Sequence, residues 1–314
     1  MKRVAWGTSK LLYFYLNHTS DREWSYIVDS RSELTSFEGL PVRRPDALLN
    51  EDPTKTHVVI FAVSNFSLIA ILAELFRAGY EYGKNVSLYS DQFLIDFEKK
   101  IQTDLKWEPD RSLLQYATAY TLNSQKPVFT TICGSWLFLE ALRNAPSIGA
   151  IAEVGAFECG NVLLAVQSPV WRRGRQYLVF DSFEGFPELG ANDPTVFRAG
   201  DFRTYKTLPE ILAPLTQYNE VRVIKGFVPG TFSEVDADTR FSIVFYDCDL
   251  YQPALDTFAF FWNRLVPKGV MIIHDYFAEP GGFAGVRKAT HEFFDPLGVR
   301  VTQFWQSTMA VLIK

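Results

Sequence analysis

Acidic and histidine side chains follow two apolar stretches in the second half of the chain. Asp247 and Asp249 come directly after the run FSIVFY, and His274 and Asp275 follow the run VMII. A carboxylate that closes a buried strand needs a partner, which a ligand or a metal ion can supply. Carboxylate oxygens suit a hard cation such as Mg²⁺, so we expect Asp247 and Asp275 to converge on a divalent cation.

Two of these side chains have a second interpretation. Asp249 precedes a predicted helix and is therefore also a candidate N-cap. His274 is a candidate base for a hydroxyl proton, and equally a supporting imidazole held in one tautomer behind the site. The sequence leaves both alternatives open.

A glycine-rich turn lies between a predicted strand and a predicted helix in the stretch IAEVGAFECGNVLLAV, residues 151–166. Gly155, Ala156 and Gly160 supply a tight turn of small residues, which places backbone N–H groups and the positive end of a helix dipole beside a bound ligand. The spacing is not G-x-G-x-x-G, so the dinucleotide fingerprint is absent. Asp181 closes the next predicted strand, where an acid can bind the two hydroxyls of a ribose. Together the turn and Asp181 indicate an adenosine-containing cofactor.

The elements around these residues alternate between strands and helices, and in a parallel sheet the carboxyl ends of the strands open onto one crevice. A last pair of strands separated by only four residues must be an antiparallel hairpin. This pattern predicts an α/β fold of the class I methyltransferase type, with a Rossmann-like sheet and a C-terminal antiparallel hairpin. The predicted strands are 151–154, 177–181, 221–224, 241–246, 269–273, 299–304 and 309–313. The predicted helices are 161–166, 208–215 and 253–265, with an amphipathic helix at 129–145 that covers the cofactor or is part of the core.

The first part of the chain predicts a smaller α/β Rossmann-like domain at residues 1–105, followed by a helical linker at 106–125 and the cofactor-binding domain at 126–314. The expected strands of the smaller domain are 3–6, 24–28, 58–63 and 86–89, with a helix at 66–78 that stops at Gly79. Gly7 and Asp29 occupy the positions of a turn glycine and a ribose acid, but a single glycine favours a structural, docking or substrate-presenting role.

The composition excludes several classes of protein. The chain of 314 residues is 47% hydrophobic and 21% charged, with a net charge of −5, which argues against a nucleic-acid partner. Its longest apolar run, 58–75, is too polar for a membrane span, and no apolar h-region of a signal peptide follows the Met-Lys-Arg start. Three well-separated cysteines suggest reduced thiols in a cytoplasmic protein. The 27 Phe, 14 Tyr and 7 Trp make a homodimer plausible.

Six motifs occur in an order that resembles the macrocin O-methyltransferase family, S-adenosylmethionine enzymes that methylate hydroxyls of sugars and related natural products. The resemblance covers roughly residues 120–314. The motifs are EVGAFECGN, FDSFEGFPE, VIKGFVPGTF, DCDLYQP, LVPKGVMIIHDY and GVRKATHEFF.

The resemblance implies roles for individual residues. Glu153, Gly155 and Gly160 would line the methionine end of S-adenosylmethionine, and Asp181 would hold its ribose, with Ser182 and Phe183 beside it. Ala156 belongs to the same turn.

Asp247 would be a metal ligand and base, and His274 and Asp275 would complete a Mg²⁺ site. His274 stands where the family pattern has an acid, and an imidazole is a poorer ligand for Mg²⁺. Methylation of the small-molecule acceptor would therefore use Mg²⁺, another divalent cation, or Asp and His side chains without a metal. Arg287 and the pair Gly281-Gly282 are weaker candidates for a substrate loop, and His291 is expected to be structural.

Two other functions remain as alternatives. The chain could be a catalytically degenerate methyltransferase fold that serves as a sugar-nucleotide-binding or scaffold module, for which the change at His274 is the motive. A nicotinamide-dependent oxidoreductase is disfavoured by the missing glycine fingerprint and by the terminal hairpin.

Overall fold

The structure is a computed structural model that describes residues 1–21, 23–62, 64–277 and 284–314. The predicted Gly281-Gly282 part of a substrate loop lies outside these residues. Two β-sheets form within the described residues, the first between positions 2 and 88 and the second between positions 150 and 313.

The first sheet has six strands in the order β3-β4-β2-β1-β5-β6. These strands are β1 (Lys2–Trp6), β2 (Tyr26–Val28), β3 (Ser36–Phe37), β4 (Leu40–Arg43), β5 (Thr56–Ile60) and β6 (Val86–Leu88). All its pairings are parallel except that of β3 with β4. The four predicted strands are present, whereas β3 and β4 were not predicted, because they are short, half exposed and interrupted by Gly39 and Pro41.

Four helices accompany the first sheet and lead to the second, and each begins at a side chain that accepts a hydrogen bond from a backbone N–H of its first turn. They are α1 (Lys10–His18), α2 (Asn65–Arg77), α3 (Asp91–Lys100) and α4 (Arg111–Asn123), with N-caps Ser9, Ser64, Ser90 and Asp110. Gly79 follows α2 at φ +84°, as predicted for a helix C-terminus.

The second sheet has seven strands in the order β12-β13-β11-β10-β7-β8-β9. They are β7 (Ala150–Val154), β8 (Tyr177–Asp181), β9 (Val221–Lys225), β10 (Phe241–Tyr246), β11 (Leu265–Ile273), β12 (Thr302–Phe304) and β13 (Met309–Ile313). The first five are parallel, and β13 runs antiparallel to both β11 and β12. The predicted strand order along the chain and the terminal hairpin are confirmed.

The helices of the second half are α5 (Ile132–Asn144), α6 (Gly160–Val166), α7 (Leu208–Leu212), α8 (Tyr251–Trp262) and α9 (Ala284–Phe294). Every residue of α5 from Ile132 to Leu142 is buried. Of the two interpretations left open for this helix, the burial supports the core helix.

One continuous core joins the two sheets, and aromatic contacts make up much of the junction. The ring of Trp305, just after β12, stacks on His18 of α1 at 5.3 Å and meets Phe93 of α3 edge-on at 5.2 Å. The Asn65 side chain at the start of α2 donates to the Lys126 carbonyl and accepts from the Val128 N–H. The two sheets are therefore packed together through α1, α2 and α3.

No helix in the part of the chain that the structure describes is both long enough and apolar enough to cross a bilayer. All three cysteines are free, with Cys133 and Cys159 buried and Cys248 partly buried.

Candidate active site

A cavity of about 280 Å³ lies at the carboxyl ends of β7, β8, β10 and β11. The strand register explains this position, because Val154, Phe180, Tyr246 and Ile273 lie side by side across the four strands. The residues that follow them consequently meet at one edge of the sheet. All ten predicted site residues line the cavity: Glu153, Gly155, Ala156, Gly160, Asp181, Ser182, Phe183, Asp247, His274 and Asp275.

A compact acidic cluster forms one end of the cavity. Asp247, Asp249, His274 and Asp275 each offer one ligand atom, and these four atoms all lie within 4.8 Å of one another. The sequence predicted three of these residues as metal ligands and left Asp249 between two roles.

His274 is held between two carboxylates. Its Nδ1 atom lies 2.6 Å from Oδ1 of Asp247 and 3.0 Å from Oδ2 of Asp275, and neither contact has the alignment of a hydrogen bond, so both act as ion pairs. Burial lowers the pKa of His274, but the two aspartates outweigh it and raise the pKa well above the ordinary value. The two aspartates thus favour the protonated imidazole, which has no free lone pair to accept a proton.

Asp249 belongs to this cluster and does not cap α8. The N-cap position is Leu250, and the first helical N–H, that of Tyr251, donates instead to Oδ1 of Asp193 at 2.7 Å. Asp249 adopts φ +63°, and its buried Oδ1 has no hydrogen-bond partner among the described residues. Burial, together with the charges of Asp275 and Asp247, raises its pKa well above the ordinary value. The N-cap interpretation of Asp249 is wrong.

Lys10 is a site residue that sequence reasoning missed. It is the first residue of α1, and its Nζ forms an ion pair with Oδ1 of Asp275 while its side chain lines the cavity. Burial lowers the pKa of Lys10, but Asp275, with smaller contributions from Asp249 and Asp247, raises it above the ordinary value. Burial raises the pKa of Asp275, yet Lys10 and His274 together bring it below the ordinary value. The only signal in the sequence is a lysine at a helix start after a strand.

The glycines of the turn are required by the protein's own backbone. Gly155 has φ +88°, and a Cβ atom there would lie 2.2 Å from the carbonyl oxygen of Asp247. A Cβ atom at Gly160 would lie 2.0 Å from the carbonyl oxygen of Pro127. Both approaches are too close for any side chain, so these glycines bring β10 and the segment before α5 against the cavity.

Glu153 is a buried acid at the base of the turn. The Tyr177 hydroxyl donates a hydrogen bond to its Oε2, whereas Oε1 has no partner among the described residues. Burial, with smaller contributions from the charges of Asp247 and Asp181, raises the pKa of Glu153 to about 8, although the hydrogen bond from Tyr177 opposes the shift. An unpartnered buried oxygen that borders a cavity is suited to a cationic group of a ligand.

Asp181 organises the turn. Its Oδ2 accepts the N–H groups of Ala156 and Phe157, both at 2.7 Å, and its Oδ1 accepts the N–H of Phe183 at 2.6 Å. Burial raises its pKa, although these backbone hydrogen bonds oppose the shift. A carboxylate has about four acceptor positions, so contacts with ligand hydroxyls remain available. The Ser182 hydroxyl bonds within the following loop, to the Gly185 carbonyl at 3.2 Å.

The weaker candidates have structural partners. Asp29 accepts backbone N–H groups from Thr8, Arg31 and Ser32, which supports the structural interpretation of the first sheet's turn. His291 Nε2 lies 2.7 Å from the Tyr276 hydroxyl, and Arg287 stands over the Tyr276 ring at 5.4 Å.

The chemistry of the cluster does not fit Mg²⁺. Mg²⁺ requires oxygen ligands in near-octahedral geometry, whereas an imidazole stands between Asp247 and Asp275. Asp275 is moreover already neutralised by the ammonium of Lys10. A dication in the cluster would therefore lie beside two positive side chains.

The sheet order, with β13 inserted antiparallel between β11 and β12, defines a class I methyltransferase fold, and the cavity lies where such sheets bind their ligands. The macrocin O-methyltransferase (TylF) family matches residues 139–302, and the chain belongs to this family. Membership places it among O-methyltransferases and confirms the resemblance carried by the motifs.

Two named relatives are similar over about half of this chain. The 8-demethyl-8-(2,3-dimethoxy-alpha-L-rhamnosyl)-tetracenomycin-C 4'-O-methyltransferase of Streptomyces olivaceus is 28% identical over 180 residues, 52% of this chain and 67% of that protein. The mycinamicin III 3''-O-methyltransferase of Micromonospora griseorubida is 28% identical over 171 residues, 51% of this chain and 65% of that protein. The alignments thus span about two thirds of each relative's length.

Solved structures that are similar to this chain include an O-methyltransferase and a calicheamicin methyltransferase. The O-methyltransferase NovP superposes with a TM-score of 0.49 at 17% identity, covering 71% of this chain and 99% of NovP. The calicheamicin methyltransferase CalS11 superposes with a TM-score of 0.48 at 16% identity, covering 79% of this chain and 91% of CalS11.

Proposed function

We propose that the protein is an S-adenosylmethionine-dependent O-methyltransferase that methylates a hydroxyl of a sugar or a small natural product. One observation carries the proposal: every residue predicted for cofactor binding and catalysis lines a single cavity at the carboxyl edge of a class I methyltransferase sheet. Family membership supports the reaction class.

The glycine turn and its acids suit the methyl donor. S-adenosylmethionine supplies a methyl group on a sulfonium sulfur. Glu153 lies at the base of the turn with an Oε1 that no described residue bonds, and this oxygen would accept the ammonium group of the methyl donor. Asp181 would accept the ribose hydroxyls with the lone pairs that the backbone leaves free. Gly155, Ala156 and Gly160 would let the ligand approach the backbone.

We propose that Asp249, rather than the predicted Asp247 or His274, is the base that takes the proton of the acceptor hydroxyl. Asp247 is paired with His274 and Asp275 with Lys10, whereas Oδ1 of Asp249 has no hydrogen-bond partner within residues 1–21, 23–62, 64–277 and 284–314. When bound, S-adenosylmethionine would supply the methyl group to the acceptor oxygen and leave as a neutral thioether, and Asp249 would take the hydroxyl proton. Asp247, His274 and Asp275 position this carboxylate. The divalent-cation route remains a prediction that the donor set does not support.

The acceptor class is proposed from the relatives, whose names state methylation at a rhamnosyl 4' position and at the 3'' position of mycinamicin III. The cavity supports an acceptor with an apolar part, because Phe186, Phe202 and Phe227 are in its wall. Phe202 and Phe227 are each about two fifths exposed, so an apolar ring could pack on them.

A calorimetric titration separates this function from the two alternatives. We expect S-adenosylhomocysteine to bind one-to-one, and NADH not to bind. Binding of NADH alone would indicate an oxidoreductase instead. If neither compound bound, a scaffold role would replace the proposed enzyme.

The role of Asp249 predicts a specific defect in turnover. Replacement of Asp249 by Asn should lower S-adenosylhomocysteine release with a panel of rhamnosides and other glycosides by about 100-fold or more, since the amide cannot take the proton. Binding of S-adenosylhomocysteine should persist. The matched control is Asp256→Asn, on α8 outside the cavity. Wild-type turnover in Asp249→Asn would exclude this carboxylate as the base.

Three further expectations stay predictions. A cytoplasmic location and a homodimer would be tested by fractionation of the source cells and by light scattering. The domain limits at 105 and 126 would be tested by limited proteolysis, which cleaves preferentially in exposed connections.

A further inference from the structure

Lys10 belongs to the half of the chain that forms the first sheet, and its side chain reaches the cavity of the second sheet. It pairs with Asp275, 265 positions later in the chain. The side chains are only 18% and 9% exposed, respectively, so this ion pair is enclosed by protein. It lies beside Asp247 and Asp249 in the cavity wall.

The chain before Lys10 fixes its direction. Gly7 turns at φ +108°, with the Phe61 carbonyl oxygen 3.2 Å from the place where a Cβ would be. The Ser9 hydroxyl donates to that same carbonyl at 2.7 Å and caps α1 through the Leu12 N–H. The ammonium is therefore delivered from a rigid strand–turn–helix junction and not from a loose side chain on the surface.

The next turn of α1 is held by the same region of the second half. Phe14 lies one helical turn after Lys10 on the same face, and its ring meets that of Phe277 edge-on at 5.1 Å. Phe277 is two residues after Asp275. Two independent contacts thus seat α1 on the segment that follows β11.

The cluster already contains its positive charges. Three carboxylates lie around His274, and Lys10 pairs with one of them. An ammonium is a compact point charge that can neutralise a carboxylate without an open coordination position. A divalent cation at Asp275 would have to displace Lys10 or lie next to it.

We propose that Lys10 is the resident cation of this active site and replaces the divalent metal, so that the enzyme works without one. The proposal rests on the proposed function, because it concerns the same cavity. If so, the half of the chain that forms the first sheet is part of the active site. Lys10 of α1 has a positioning role, because its charge orients Asp275 and thereby His274. The lysine excludes cations from the cluster.

Direct titration with Mn²⁺, followed by electron paramagnetic resonance of the free ion, tests the proposal without an acceptor. We expect no saturable binding to the wild type, and saturable binding to Lys10→Met that is at least about 10-fold tighter than the weakest binding the titration detects, because this change removes the charge but keeps the chain length. Lys10→Arg should behave as the wild type. The matched control is Lys2→Met, which breaks the ion pair between Lys2 of β1 and Glu51.

Two results would overturn the proposal: saturable Mn²⁺ binding by the wild type, or no gain of binding in Lys10→Met. The first can be measured even if Lys10→Met does not fold. Binding of S-adenosylhomocysteine is measured on the same samples. If the wild type fails to bind it, the proposed function is wrong, whatever the Mn²⁺ result; if it binds, a failure concerns Lys10 alone.

Discussion

At the scale of single residues, Glu153 combines two requirements that oppose each other. Its Oε1 borders the cavity and has no partner in the part of the chain that the structure describes, which suits a ligand, but burial of Glu153 makes the ionised form unfavourable. Such conflicts between stability and function are expected at binding sites.

This conflict gives a pH-dependent prediction. The folded-state pKa of Glu153 is about 8, well above its unfolded value, so between about pH 4.5 and 8 the unfolded chain has lost a proton that the folded chain keeps. Stability should therefore fall as the pH rises through this window. Glu153→Gln, which cannot ionise and still accepts from Tyr177, should raise the melting temperature by several degrees at pH 8 and by less at pH 5.

Differential scanning calorimetry at the two pH values checks this prediction. Glu188→Gln serves as control, because Glu188 is exposed. An equal shift for Glu153→Gln at both pH values would show that its carboxyl titrates normally in the folded protein.

At the scale of elements, the loop between β8 and α7 determines how α8 begins. Asp193 in this loop bonds the Tyr251 N–H of α8 through Oδ1 and the Gly190 N–H through Oδ2, so one side chain anchors the loop and caps the helix. The same loop contributes Phe202 and Thr204 to the cavity wall. Because Asp193 caps α8 from another loop, Asp249 is not needed as the N-cap and can belong to the acidic cluster.

Loss of this cap should be measurable. Asp193→Ala is expected to lower the free energy of unfolding by about 1 kcal/mol, the usual effect of removing a helix cap. Asp193→Asn retains an acceptor oxygen and should lose less. Urea denaturation measures both variants, and equal losses would mean that the hydrogen bond to Tyr251 contributes nothing to stability.

At the scale of the whole molecule, the junction of the two sheets is a shared core rather than a hinge. Trp305 packs against His18 and Phe93, and Phe97 of α3 meets Phe304 of β12 at 5.6 Å. Groups that share one core unfold together.

We therefore expect one calorimetric unfolding transition. Trp305→Ala should lower its midpoint by several degrees, consistent with about 2–3 kcal/mol for loss of a partly buried aromatic ring. Trp171→Ala, which removes a contact with Tyr177 within the second half, should move the same transition. Two separate transitions, with only one responding to Trp171→Ala, would show that the halves unfold independently.

The sequence by itself determined the class I sheet and ten residues of its cavity. Strand-ending residues such as Asp181 and Asp247 are readable because the carboxyl ends of consecutive parallel strands must lie together. The glycine turn and the terminal hairpin are equally local, because a positive φ and a four-residue connection constrain the chain directly.

Only the tertiary structure decided what these residues contact. Asp249 was compatible with a cap until Asp193, 58 positions away, was found to bond the helix start. Helix α5 was predicted to be amphipathic, but burial on all sides comes from neighbours that its own periodicity does not encode. Lys10 could not be placed in the site at all, because a pairing across 265 positions depends on how two sheets pack, and a side chain carries no local signal of its distant partner.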